Sequence, residues 1–297
     1  MVTVVRVRGL FVGVATLDLV QRVGRQPGVD EKVVAQRSDL AAGGPAAAAA
    51  VTFSALGGHA TLLSALGPGL IGQWVTADLH GAGVHTVDAW AGGADLSISA
   101  ITVLDGTGQR SVVSRSPEEV LVAIPDDLPA LIRDTNVVLL DGHYPALAVA
   151  AARAAQAAEI PVVLDGGSSK PVYDELVPLA DAMVCSSSFG GLPERFDAVA
   201  ADLLAAGARL VAMTAGGAPV RWRTRDATGV VEVPPVTVCD TLGAGDVLHG
   251  AFAYARALGV TDPERSLGFG VAVASLRVQH AGPRSWRGDQ RLHGLVV

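Results

Sequence analysis

The chain has 297 residues, 50% of them hydrophobic, and a formal net charge of −7. That is enough apolar material for a large core and too much for a disordered chain, and with Lys only at Lys32 and Lys170 and no basic run the electrostatic footprint of a nucleic-acid binder is missing. Cys185 and Cys239 are the only cysteines and show neither CxxC nor metal-ligand spacing, so no disulfide framework is expected and the cytoplasm is the expected location.

Two segments imitate export or membrane signals. Arg6 to Leu17 is apolar only briefly before Asp18, and the stretch from Leu40 to Ala77, which lacks Asp, Glu, Lys and Arg, is broken by Gly43-Gly44, Gly57-Gly58 and Pro68. Neither reads as a leader or a membrane span.

In chain order, Leu10 to Thr16 is a short apolar run of strand formers and reads as a buried first strand ending at Asp18, which is either a turn former or a ligand-binding carboxylate. Gly43-Gly44-Pro45 opens a helical run that closes at Gly57-Gly58, and the alanines at 46–50 point to close packing. Val33 to Gln36, Leu96 to Leu104 and Arg110 to Ser114 read as strands, the last two joined as a hairpin by Asp105-Gly106-Thr107-Gly108. These strands sit among helical segments and so stand apart from a parallel sheet, as an insertion at about 18–42 and 94–117. Arg110 and Arg115 either reach a phosphate or substrate from this hairpin or are solvated charges.

Val137 to Leu140, Ala146 to Ala158 and Val162 to Leu164 alternate strand, helix and strand, the pattern of a parallel sheet with ligands at its carboxyl ends. Asp141-Gly142-His143 and Asp165-Gly166-Gly167 fall at two such ends; a lone histidine like His143 is more often structural than ligating. Leu210 to Met213 is a further buried strand leading to Thr214-Ala215-Gly216, which would also serve as an ordinary turn. With no repeat and no linker, residues 1–297 read as one domain carrying an insertion.

Between Pro234-Pro235 and a buried helix over Ala251 to Leu258 lies Cys239-Asp240-Thr241-Leu242-Gly243-Ala244-Gly245-Asp246. Gly243-Ala244-Gly245 becomes a tight turn at a helix start, where unpaired N–H groups and the helix dipole favour an anion. Asp246, in the first turn, either opposes the dipole or serves as a general base.

The string from Asp240 to Asp246 resembles the signature of the ribokinase-like (PfkB) carbohydrate kinases, and the likeness spans nearly the whole chain, nearest the ketohexokinase and sulfofructose kinase branch. The resemblance implies a three-layer α/β/α fold with a central, mostly parallel sheet and a small inserted β-strand lid, paired lids forming a homodimer. It implies an ATP-dependent phosphotransferase acting on an alcohol group of a small carbohydrate, with Mg²⁺ and, as a further candidate ion, K⁺. On that basis Asp246 is the base, with Gly243, Ala244 and Gly245 forming the anion hole. Asp18, Gly43, Gly44, Arg115 and His143 would hold the substrate, and Thr214, Gly216, Arg110, Thr241 and Gly282 the nucleotide. No residue is assigned to the metal.

The chain departs from the family pattern at Ala48, where an Asn is usual, at Ser186 and Phe189, which replace an Asn-x-x-Glu, and at Pro219, where a second Gly is usual. These departures keep open a nucleoside kinase and a non-catalytic sugar- or nucleotide-binding regulator. A dinucleotide-binding Rossmann unit is disfavoured, because the N-terminal strand lacks G-x-G-x-x-G.

Overall fold

Continuous apolar runs alternate with helical segments along most of the chain, and the computed structural model, which describes residues 6–189 and 195–297, shows what they build. The chain begins with β1 (Arg8–Val12), β2 (Thr16–Val23), β3 (Arg37–Gly43), α1 (Pro45–Ala55), β4 (His59–Ser64), α2 (Leu70–Gly81) and β5 (Val84–Asp88). It continues through β6 (Trp90–Gly93), β7 (Ile98–Leu104), β8 (Arg110–Ser114), β9 (Val120–Val122), α3 (Leu128–Arg133), β10 (Val137–Leu140), α4 (Pro145–Ala157) and β11 (Val162–Gly166). The remainder holds α5 (Tyr173–Leu176), β12 (Ala182–Ser186), α6 (Phe196–Ala206), β13 (Leu210–Ala215), β14 (Ala218–Arg223), β15 (Thr228–Val231), α7 (Ala244–Ala257) and α8 (Pro263–Arg277).

Among the described residues nine strands form the main sheet in the order β15-β14-β13-β12-β11-β10-β1-β4-β5, all running the same way except β14, which pairs antiparallel with both β13 and β15. A strand covered on both faces has no polar side, which is why Val137-Val138-Leu139-Leu140 is apolar throughout. Val138 and Leu140 enter the core beneath α3, α4 and α6, while Val137 and Leu139 enter the opposite core beneath α1, α2 and α7. The result is a three-layer α/β/α fold. The alanine run explains one contact in it: a Cβ on Gly250 of α7 would lie 2.4 Å from the Ala49 carbonyl oxygen, so only small residues let α1 and α7 touch.

The strand order reverses at β1, which has β10 on one side and β4 on the other, the place in such a sheet where a ligand is expected at the carboxyl ends of the strands. A second sheet, β3-β2-β7-β8, stands apart from the first, and β6 and β9 form a two-stranded ribbon. The second sheet packs Val20, Ile101 and Val103 into a small core of its own, against which Leu242 leans.

Three expectations need correction. Val33 to Gln36 is not a strand: β3 pairs with β2 only from Arg37 opposite Arg22 onward, and Val33 to Ala35 lie past the last paired position. The first strand stops at Val12 rather than Thr16, because the Val14 amide donates to the Asp141 carboxylate at 2.9 Å and not to a neighbouring strand. Asp18 therefore lies inside β2 of the second sheet. Pro219 falls within β14, beside the irregularity in its pairing with β13, a place in a sheet where the missing donor is tolerated. Among the described residues no helix is long and apolar enough to cross a membrane.

Candidate active site

The glycine-rich turn is a helix start. Gly243 caps α7 with φ 70°, a left-handed conformation that favours glycine, and the first amides beyond it have no intrahelical acceptor. A Cβ added at Gly245 would meet nothing within 4 Å, so packing does not explain that glycine. Asp246 folds back over the turn: its Oδ2 lies 3.7 Å from where a Cβ of Gly243 would be.

Across a tight cleft from Asp246 lies Asp18, and Gly43, Gly44, Ala48, Thr52, Arg277, Arg284 and Trp286 line the same space. Asp18 is fixed by the Thr16 hydroxyl, which donates to its Oδ1 at 2.7 Å. Gly43 follows from that carboxylate, since a Cβ there would stand 1.9 Å from Asp18 Oδ2. Gly44 has φ 90° and its backbone passes so near Val14 that a Cβ would lie 2.4 Å from the Val14 carbonyl oxygen. Burial raises the Asp18 pKa, against the pull of the Thr16 and Ser99 hydroxyls and of Arg284. Burial, reinforced by the Asp165 charge, pushes Asp246 up to about 6, while His249 and Arg110 oppose the shift.

Further carboxylates line the carboxyl ends of the central strands. Asp141, fully buried, accepts from the backbone N–H groups of Val14, Ala46 and His143, at 2.9, 3.3 and 2.9 Å. Burial works against its charge, yet His143 and these amide donors prevail and hold its pKa below the ordinary value. His143 Nδ1 lies 3.1 Å from Asp141 Oδ1, which ties that ring to the strand end. Asp165 is raised by burial and by Asp141, with His249 and Lys170 pulling the other way.

The remaining sequence-predicted residues fall into three groups. Arg110 Nη1 donates to the Thr241 carbonyl at 3.3 Å, and the Thr241 hydroxyl donates to the Gly108 carbonyl at 2.8 Å, so the second sheet's hairpin sits on the glycine-turn loop. Gly282, at φ 85°, donates to Asp240 Oδ2 at 3.0 Å on the same loop. Thr214 and Gly216 stand farther along the sheet edge: the Thr214 hydroxyl donates to the Cys185 carbonyl at 3.3 Å, and a Cβ at Gly216 would meet open space. Arg115 is not brought to the cleft; its guanidinium donates to the Asp95 carbonyl.

The departures from the family pattern now have contexts. Ala48 lines the cleft without a polar group. The Ser186 hydroxyl donates to the Gly167 carbonyl at 2.7 Å, and Phe189 packs edge-on against Tyr173 with ring centroids 5.5 Å apart. Among the described residues no three His, Cys, Asp or Glu are grouped to hold a metal. The side chains do not fit a protein-built Mg²⁺ cage, which for this ion is uncommon in any case.

A family model for pfkB family carbohydrate kinases matches residues 10–287. The chain belongs to that family. This carbohydrate kinase is 27% identical over 290 residues to the ribokinase of Arabidopsis thaliana, an alignment covering 92% of this chain and 76% of that protein. A candidate ribokinase from Agrobacterium tumefaciens superposes on it with a TM-score of 0.84 at 27% identity, covering 97% of this chain and 96% of the other. The structure of Arabidopsis thaliana ribokinase complexed with ribose and ATP superposes with a TM-score of 0.77 at 24% identity over 97% of each chain, a likeness of fold.

Arg284, in the kinase's cleft, carries no local signal, and the partners of Asp240 beside it come from far along the chain. Arg284 Nη2 bridges the Ala42 carbonyl and Asp78 Oδ2, at 2.8 and 2.9 Å, from 242 and 206 residues away. Asp240 is buried between Arg22 and Arg277, with closest approaches of 3.6 and 3.5 Å, and accepts from the Leu242 amide at 2.9 Å. Asp141 and Asp165 stand at the ends of apolar strands of the parallel sheet, where the sequence pattern placed them.

Proposed function

We propose that this kinase transfers the γ-phosphoryl group of ATP to a hydroxyl of a small carbohydrate bound between Asp18 and the glycine turn. One observation carries the reading: a half-buried carboxylate with a raised pKa, Asp246, shares a cleft with a second carboxylate, Asp18, at the open start of a helix. Asp18 and the Gly43-Gly44 backbone would accept and donate hydrogen bonds to sugar hydroxyls. Asp246 would take the proton of the attacking hydroxyl, and the amides at Gly243–Asp246, with Arg110 nearby, would face the charge of the transferring group.

The nucleotide would extend from the glycine turn toward Thr214 and Gly216, where the sheet edge leaves room beside the backbone. Mg²⁺ would come with the ATP, held by phosphate and water. The inserted strands would cover the sugar as a lid, and the exposed Val112 and Val113 of β8 would let two lids meet in a homodimer. The assignment of the chain to the ketohexokinase and sulfofructose kinase branch belongs to the same proposal.

ATP consumption by the wild type and by Asp246→Asn, across ketoses, aldoses, sugar acids, sulfosugars and nucleosides with Mg²⁺ and K⁺ present, tests it. Turnover of one carbohydrate, lowered about 10²- to 10⁴-fold in the variant, supports the reading. Tight ATP binding without turnover of any acceptor overturns it in favour of a regulator, and turnover of nucleosides alone in favour of a nucleoside kinase.

A further inference from the structure

One buried side chain behind the glycine turn has no role in the reaction just described. His249 lies in α7 one turn beyond Gly245 and is 4% exposed. Its Nδ1 faces the Gly245 carbonyl oxygen at 2.8 Å, and its Nε2 faces the Val184 carbonyl oxygen of β12 at 3.0 Å. Carbonyl oxygens only accept, and a neutral imidazole owns a single N–H. In the neutral ring, one of these contacts would set a nitrogen lone pair against an oxygen lone pair; with both nitrogens protonated, both contacts are hydrogen bonds. A buried cation needs an anion, and Asp165 Oδ2 lies 3.5 Å from Nδ1.

We propose that His249 is a structural imidazolium, ion-paired with Asp165 beneath the glycine turn, and that it is a positioning residue for Asp246. The second half rests on the reading of Asp246 as the base. By donating to the Gly245 carbonyl, His249 fixes one end of the Gly245–Asp246 peptide; because the peptide is planar, the Asp246 N–H at its other end stays directed toward the helix start. Its charge also counters Asp165, which with Asp18 disfavours ionisation of Asp246, while Arg110 adds to the cationic side. Other groups facing the pair are Asp141, His143 and Lys170 across from Asp165, and the Cys185 thiol on β12.

The first arm needs no substrate. In protein carrying ¹⁵N-labelled histidine, with the His249 resonances assigned by loss in His249→Gln, both ring nitrogens should carry protons at about pH 7.5, where an unperturbed histidine is mostly neutral. In Asp165→Asn one of those protons should be lost. A singly protonated His249 in the wild type overturns the proposal, whatever the enzyme's acceptor proves to be.

The second arm uses the acceptor found in the ATP-consumption panel. In His249→Gln, which keeps one donor and removes the charge, the acid limb of kcat/KM should move up by about one pH unit with little change in the acceptor KM. A folded variant with an unmoved limb leaves His249 a packing group and overturns the positioning role. Where the variant does not fold, a doubly protonated ring in the wild type that stays so in Asp165→Asn overturns the pairing.

Discussion

β10 in the nine-stranded sheet shows water nothing, all four of its residues being buried, whereas every residue of β8 in the four-stranded sheet is exposed. The large sheet is covered by helices on both faces and closes two cores of its own. The small one has Val20, Ile101 and Val103, and completes that patch with Leu242 from the glycine-turn loop. Its polar anchors go to the same place: Arg22 reaches the Cys239 carbonyl at 3.1 Å and Thr241 reaches the Gly108 carbonyl at 2.8 Å. One sheet is stabilised by its own burial, and the other largely by its grip on the site.

The comparison breaks most visibly in the large sheet. Leu139→Ala, at a fully buried position, should cost about 2–5 kcal/mol in urea unfolding, while Val113→Ala in β8 should stay within about 0.5 kcal/mol. Equal costs would mean that the small sheet carries a hidden share of the core.

Asp246 lies where the two regions meet, and pH reads it. With its pKa pushed up to about 6, and with Asp246 as the proposed base, kcat/KM should fall about tenfold per pH unit below that value as its carboxylate is protonated. Stability should run the other way. A carboxyl whose folded pKa is raised from 3.8 to about 6 favours the folded state at low pH, and that contribution is lost as pH rises through about 6. Asp246→Asn should therefore gain stability relative to the wild type between about pH 4 and pH 7, and a flat difference in urea midpoints would remove this electrostatic account.

Leu242→Ala sharpens the contrast. It should cost about 1–2 kcal/mol and act locally, speeding amide exchange in β2 and β7 while leaving β10 protected. Thr241→Val, which deletes the hydroxyl donor to Gly108, is the smallest change, about 1 kcal/mol, and should raise exchange at the β7–β8 hairpin alone. Acceleration in β10 by either variant would show that the two sheets unfold as one unit.

Local chemistry was legible in the sequence. Arg110–Ser114 and Val137–Leu140 are strands with the bounds that their apolar patterns predict, because a strand's period needs only its own residues. The glycine turn and Asp246 could be placed at a helix start for the same reason. What failed or was missed depended on distant partners. Val33 to Ala35 has strand composition and no strand beside it. Arg284 enters the cleft only because Asp78 and Ala42 receive it, and His249 has meaning only once Val184 and Asp165 stand beside it.

The tip between β7 and β8 has the makings of an ordinary surface turn, the sort of place where related proteins gain and lose residues freely. Here the Gly108 carbonyl receives both the Thr241 amide, at 3.1 Å, and its hydroxyl. A Cβ on Gly108 would stand 2.8 Å from the Asp240 nitrogen, so the fit is tight as well as polar. The turn thus works as a spacer of set length: an inserted residue at 105–108 would be felt at the glycine turn, and a tag or graft placed there should be far less welcome than its surface position suggests.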